Sequence, residues 1–163
     1  MILGVAQAFF TLAMYALGAV LFGVAAFPGA MLCLALWTGT ADLLLWQRVL
    51  ALCIAAAAGF FIFGFSLMLL VSILRIVFRL DLKEGEYPMF SIGAVRWIIT
   101  NALQFVVWTT FGDYILLTPF AAVFYRLMGA KVGKNVQINS KFCADLSLLE
   151  IGDGSVKIGR AHV

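Results

Sequence analysis

The residues able to do chemistry are few, and most lie in the second half of the chain. The only histidine, His162, is second from the C-terminal end. Cys33 and Cys53 sit inside apolar runs and Cys143 lies alone, so an odd count without a pairing pattern gives no disulfide framework. No CxxC or HExxH spacing occurs, and no metal site is implied. Asp113 is the one acid with apolar runs on both sides. Inside a membrane such a group marks function, whereas beside interfacial helices it faces headgroups, and the second reading is adopted. Lys131 and Lys134 read as solvated corner residues, with contact to anionic lipid or donor phosphates as the sharper alternative. Arg126 is expected to snorkel from, or cap, the helix before it. These types and spacings assign no catalytic and no cofactor-binding residue.

The elements that must position them are unusually apolar. Of 163 residues, 64% are hydrophobic and 12% charged, far from the roughly half apolar, quarter charged mix of soluble domains. Up to Leu80 the only charges are Asp42, Arg48, Arg75 and Arg79. A net charge of +3 on so few groups, without a basic block interleaved with aromatics, excludes nucleic acid as a partner and leaves the lipid bilayer.

Residues 1–80 are expected to form a transmembrane helical hairpin. Residues 14–37 alone would reach about 36 Å as a helix, with Pro28 and Gly29 as a place to kink or shorten it. A cleaved signal peptide fits less well, because the first ten residues hold no Lys or Arg and the run exceeds an h-region. Residues 38–48 read as the connection and residues 49–74 as the second span. Ala19 with Gly23, and Ala55 with Gly59, stand four apart, a spacing that lets helices approach closely and that ordinary Ala and Gly content also produces. Arg75, Arg79 and Lys83 after the second run place both ends of the hairpin in the cytoplasm, at a bacterial inner membrane.

Residues 81–128 are expected to be interfacial or re-entrant. After the polar turn 83–88, residues 97–112 open on Trp97 and close on Gly112 without a charge, yet they hold Thr100, Asn101, Gln104, Thr109 and Thr110. Sixteen residues fall short of the ~20 a span needs. A third span remains the alternative, and it would move everything after Arg126 to the other side. Trp97, Trp108, Tyr114 and Tyr125 suit a headgroup zone.

At residues 126–138 the composition changes. Val132-Gly133-Lys134-Asn135-Val136-Gln137-Ile138 places aliphatic residues six apart, and Ile151-Gly152-Asp153-Gly154-Ser155-Val156 repeats the opening. This is hexapeptide-repeat spacing, although ordinary strand and turn sequence also yields it. Ile138 and Ile151 are thirteen apart, so residues 139–150 must absorb one extra residue, and Asp145 and Ser147 suit a corner or protruding loop there. Ile158 is seven after Ile151, out of phase.

Residues 125–133, continuing through Val136 and Ile138 to Leu149-Glu150-Ile151-Gly152-Asp153-Gly154, resemble the lead-in to the left-handed β-helix of hexapeptide-repeat acyltransferases, and Thr118-Pro119 before it is similar too. The likeness is to membrane-associated members with hydrophobic helices ahead of the β-helix, a layout also found in the C-terminal region of polylysine synthetase-like enzymes. It covers residues 80–156 by motif. It implies two transmembrane helices plus interfacial helices followed by the start of a left-handed parallel β-helix, with its first turns in residues 129–156. It implies acyl transfer from a thioester such as acyl-CoA to a hydroxyl or amine, by a histidine base on the β-helix, in a homotrimer or tandem β-helix packing. Imidazole suits that task near neutral pH, but the family's histidine lies further along and is not carried over. Residues 157–163 (Lys157, Ile158, Gly159, Arg160, Ala161, His162, Val163) depart from the pattern. From Ile158 on they match one reading frame of a common sequencing adapter, so a non-native tail is expected.

Two functions are expected in the alternative. In the first, this is the N-terminal, membrane-anchoring fragment of an acyltransferase acting on a surface-polymer or lipid-linked acceptor, inactive alone because a stack needs about three or more repeats. In the second, it is a small membrane anchor or assembly protein with a short β-tail and no catalysis.

Overall fold

The structure is a computed structural model that describes residues 2–82, 84–88, 91–140 and 143–159. It is mostly helical and divides into two compact units, Met1–Leu70 and Val71–Val163.

The first unit is built from α1 (Ile2–Gly39) and the greater part of α2 (Leu45–Val77). Both are long and apolar enough to cross a membrane, over Gln7–Gly39 and Leu45–Val77, and among the described residues no other helix is. Large apolar side chains such as Tyr15, Phe27, Leu34 and Ile54 remain exposed on them, as expected of a surface solvated by hydrocarbon and not water. The inward stripe of α1 runs through Leu21, Ala25 and Gly29, spaced four apart, and that of α2 through Ala55 and Gly59. The helices touch at Gly29 and Gly59, where a Cβ on Gly29 would lie 2.9 Å from the Gly59 carbonyl oxygen. Ala19 and Gly23 are exposed, so of the two small-residue pairs only Ala55 with Gly59 lies on the packed face.

Pro28 neither ends nor shortens α1, which is helical on both sides of it. The connection is also shorter than residues 38–48, because α2 already begins at Leu45. Its first turn is closed by the Gln47 side chain, which accepts from the Leu44 amide at 3.2 Å. Arg48 reaches back across the turn, stacking 4.0 Å from the Trp37 ring centroid and donating to the Trp37 carbonyl at 3.3 Å.

Among the described residues the second unit holds the end of α2, then α3 (Ile92–Thr110), α4 (Gly112–Ile115), α5 (Pro119–Leu127), four strands and a 3-10 turn, Leu146–Leu148. Ser91 caps α3 by accepting from the Ala94 amide at 3.1 Å, and Pro119 opens α5 where its missing amide costs nothing. Thr100, Leu103, Gln104, Val107 and Trp108 recur at three and four residues and form the buried face of α3. Trp108 meets Phe124 and Tyr125 of α5 edge-to-face, with centroids 5.6 and 5.8 Å apart, at the middle of the core.

The strands are β1 (Lys131–Val132), β2 (Gln137–Asn139), β3 (Glu150–Ile151) and β4 (Val156–Ile158). β1 pairs with β3 and β2 with β4, both parallel. Pieces of two and three residues in two separate pairs are short of a β-helix. In both pairs the partner stands 19 residues further on, as for Lys131 and Glu150, one more than three six-residue steps.

Candidate functional site

Two helix ends set the position of the paired strands. α5 closes with the Ala130 amide donating to the Tyr125 carbonyl at 2.9 Å and the Gly129 amide to Arg126 at 3.0 Å. This is a Schellman closure with Gly129 at φ +98, a conformation that glycine adopts without a steric penalty. α2 closes the same way, Leu80 to Arg75 at 3.0 Å and Arg79 to Ile76 at 3.2 Å, with Arg79 at φ 49.

Arg75 links the two ends. Its guanidinium pairs with Asp81 and donates to the Leu127 carbonyl at 2.9 Å. It lies against Gly129, where a Cβ would come 2.8 Å from the Arg75 Cζ. In the sequence Arg75 reads only as a marker of orientation, and a single basic residue after an apolar run carries no signal of this second role.

Arg126 stands in the last turn of α5, where a cation suits the helix dipole, and its side chain also reaches beyond the helix. Its Nε donates forward to the Val132 carbonyl at 3.0 Å and its Nη2 to that of Gly133, so it braces the first strand from outside. The carbonyls of a two-residue strand have few other donors, and a guanidinium fork supplies two. On the core side, Tyr125 is fully buried and its hydroxyl donates to the Ser140 carbonyl at 2.9 Å. Burial, and less so nearby Cys143, pushes its pKa above the usual tyrosine value.

The two passes stack corner on corner. The Gly133 amide donates to Ile151 at 2.8 Å, the Gln137 amide to Ser155 at 3.0 Å, and the Gly154 amide to Lys134 at 2.8 Å. Asp153 accepts from the Lys134 amide at 2.6 Å. Asn135 and Gly154, in equivalent places, both turn through positive φ (54 and 68). Gly133 has no room for a side chain, since a Cβ would lie 2.6 Å from the Asp153 nitrogen and 2.8 Å from the Gly152 carbonyl carbon. Over β1 and β3 lies an open groove of about 510 Å³, lined by Lys131, Val132, Gly133, Glu150, Ile151, Gly152 and Asp153.

Lys131 is exposed and pairs across the strands with Glu150, which raises its pKa through the hydrogen bond first and the opposite charge second. Lys134 is exposed, and its backbone is what the stack uses. Asp113 is exposed in α4, away from the paired strands in sequence. Asp145 and Ser147 do form a turn, and both have partners: Asp145, at φ 60, accepts from the Trp97 indole, and Ser147 Oγ accepts from the Leu82 amide at 3.3 Å. The register places half-buried Lys157 over buried Ile138, while Val156 and Ile158 face out, consistent with the out-of-phase Ile158. The Lys157 ammonium donates to Cys143 Sγ at 3.3 Å. His162 and residues 160–163 lie outside the described residues, as do Lys83, Lys141 and Phe142. Among the described residues no three His, Cys, Asp or Glu come together. Compared with protein-family models, curated proteins and solved structures, the chain matches none.

Proposed function

We propose that α1 and α2 cross a bacterial inner membrane as a hairpin with both ends cytoplasmic, and that they hold at its surface the opening turn of a left-handed β-helix. That β-helix belongs to an acyltransferase that moves an acyl group from acyl-CoA to a hydroxyl or amine of a surface-polymer or lipid-linked acceptor. α3 to α5 then lie in the interface. The observation that carries the reading is the parallel pairing of both strand pairs at one common offset, with stacked glycine-containing corners. A hairpin would give antiparallel strands, and a βαβ unit would need a helix between them. A coil returning onto itself gives the observed order.

In this reading the described residues are scaffold, and the groove over β1 and β3 carries an ion pair and a carboxylate bonded to backbone. The transfer needs a base to take the proton of the attacking hydroxyl or amine as the thioester carbonyl is attacked. In this reading a histidine on further coils supplies it, and the trimer or tandem packing of such coils completes the donor site.

The test is the reading frame after the Val156 codon together with its product. Further six-residue repeats bearing a histidine, and acceptor-dependent release of free thiol from acyl-CoA by that product in membranes, support the enzyme. A stop codon at that point, with no thiol release, supports the anchor instead. For orientation, a cysteine placed at Thr40 with the native cysteines replaced should react with an impermeant maleimide from outside intact cells. Reaction only from the cytoplasm would reverse the hairpin.

A further inference from the structure

A second concavity of about 320 Å³ lies between the segment after Leu80, the first turns of α3 and the turn at Asp145. We propose that it binds a quaternary ammonium group of the choline type, a site that stands on the geometry of the second unit alone, independent of acyl transfer.

Tyr87 and Trp97 line it together with apolar Leu82 and Leu148, and among the described residues Asp145 is the one charged residue that does so. The Tyr87 ring is seated on Gly93, where a Cβ would lie 2.9 Å from Cγ, so the absent side chain is what lets the ring pack over the first turn of α3. The Trp97 indole nitrogen donates to the Asp145 carboxylate, which ties that ring to the acid. Asp145 stands where it could cap the following 3-10 turn, yet its side chain makes no capping bond and is turned to Trp97.

Two aromatic side chains and one carboxylate lining a small open pocket are the chemistry that recognises a methylated cation. A quaternary ammonium has no N–H to satisfy and sheds water cheaply, so it needs no hydrogen-bond acceptor from the lining as a primary ammonium would. The N-terminal end of α3 opposes a cation with about half an elementary charge. The full charge of Asp145 outweighs it.

The test uses the full chain in maltoside micelles, whose headgroup carries no ammonium, and reads saturation transfer from protein to the methyl protons of choline. Choline is expected to bind saturably, about tenfold more tightly than its uncharged isostere 3,3-dimethylbutanol. Asp145→Asn, which keeps an acceptor for the Trp97 indole, should erase that preference with the helical circular dichroism unchanged. Trp97→Leu should weaken choline about tenfold. Equal binding of the isostere, or an undiminished preference in Asp145→Asn, would overturn the proposal. In nanodiscs, a choline signal lost with phosphatidylcholine but kept with phosphatidylglycerol assigns the site to a lipid headgroup. A signal kept in both assigns it to a soluble ligand, and loss in both overturns it.

Discussion

Gly133→Ala should break the stacking of the two passes, and Gly152→Ala should not. The two glycines hold the same place in successive passes, but only Gly133 lies against the backbone of the other. Its Cβ would meet the Asp153 nitrogen at 2.6 Å and the Gly152 carbonyl carbon at 2.8 Å, whereas a Cβ on Gly152 meets only the Ser155 hydroxyl at 3.9 Å. Asp153 can rotate its carboxylate away, but backbone has to shift as a strand. Overpacking of this kind costs about 1–3 kcal/mol. The shift also stretches the Lys134 amide bond to the Asp153 carboxylate, a charge-assisted contact worth about 1.5–3 kcal/mol. The two are not independent, so about 3 kcal/mol is expected, near a hundredfold in the opening equilibrium. Hydrogen exchange of the full chain in detergent reads it at the amides of Gly133, Gln137 and Gly154, which bond between the passes. Exchange there should accelerate by up to about a hundredfold in Gly133→Ala and stay unchanged in Gly152→Ala, with α3 as internal reference. Unchanged protection in Gly133→Ala would refute the stack. Equal loss in both would refute the open side of Gly152 and put another layer of chain over it.

Three more outcomes are expected. Gly129→Ala combines a φ of +98 with a Cβ 2.8 Å from the Arg75 Cζ. It should cost about 2 kcal/mol and lower the thermal midpoint in micelles, and an unchanged midpoint would count against the closure of α5. Tyr125→Phe should lose about 1 kcal/mol near neutral pH with the bond to Ser140. Because burial raises the folded pKa of Tyr125 above the unfolded value of about 10, its contribution is fully present below pH 10 and falls as pH rises toward the folded value, by about 1.4 kcal/mol per pH unit. Alkaline unfolding curves of equal slope in wild type and Tyr125→Phe would contradict this. Gly29→Leu should force α1 from α2 at the Gly59 contact and lower the SDS concentration at which the helix pair unfolds, while Gly23→Leu should leave it unchanged; equal effects would misplace the crossing.

The long helices were legible because an uncharged run of that length has few alternatives. Their contact face was not. When every face is apolar, periodicity no longer separates inside from outside, and Gly29 reads as the companion of Pro28 and not as a point of contact. The aliphatic-Gly pairs at Val132-Gly133 and Ile151-Gly152 recur at 19 residues, which is also the offset of the paired strands. That recurrence could not reveal that Asp153 would bond the Lys134 amide, or that Trp97, read as a headgroup aromatic, would engage Asp145. Those contacts join residues 19 and 48 apart in the chain and depend on how the turn between the strands folds back.

The change of composition that the sequence presents at residues 126–138 is, in the structure, a joint braced by side-chain hydrogen bonds. A glycine-containing turn after an apolar helix would ordinarily let the next strand swing. Here Arg75, whose side chain is 14% exposed, spends its guanidinium on Asp81 and on the Leu127 carbonyl, and Arg126 spends its own on the Val132 and Gly133 carbonyls. Two cations that would be free to meet headgroups are committed to backbone on either side of Gly129. The last turn of α2 and the first strand are therefore fixed to each other through α5.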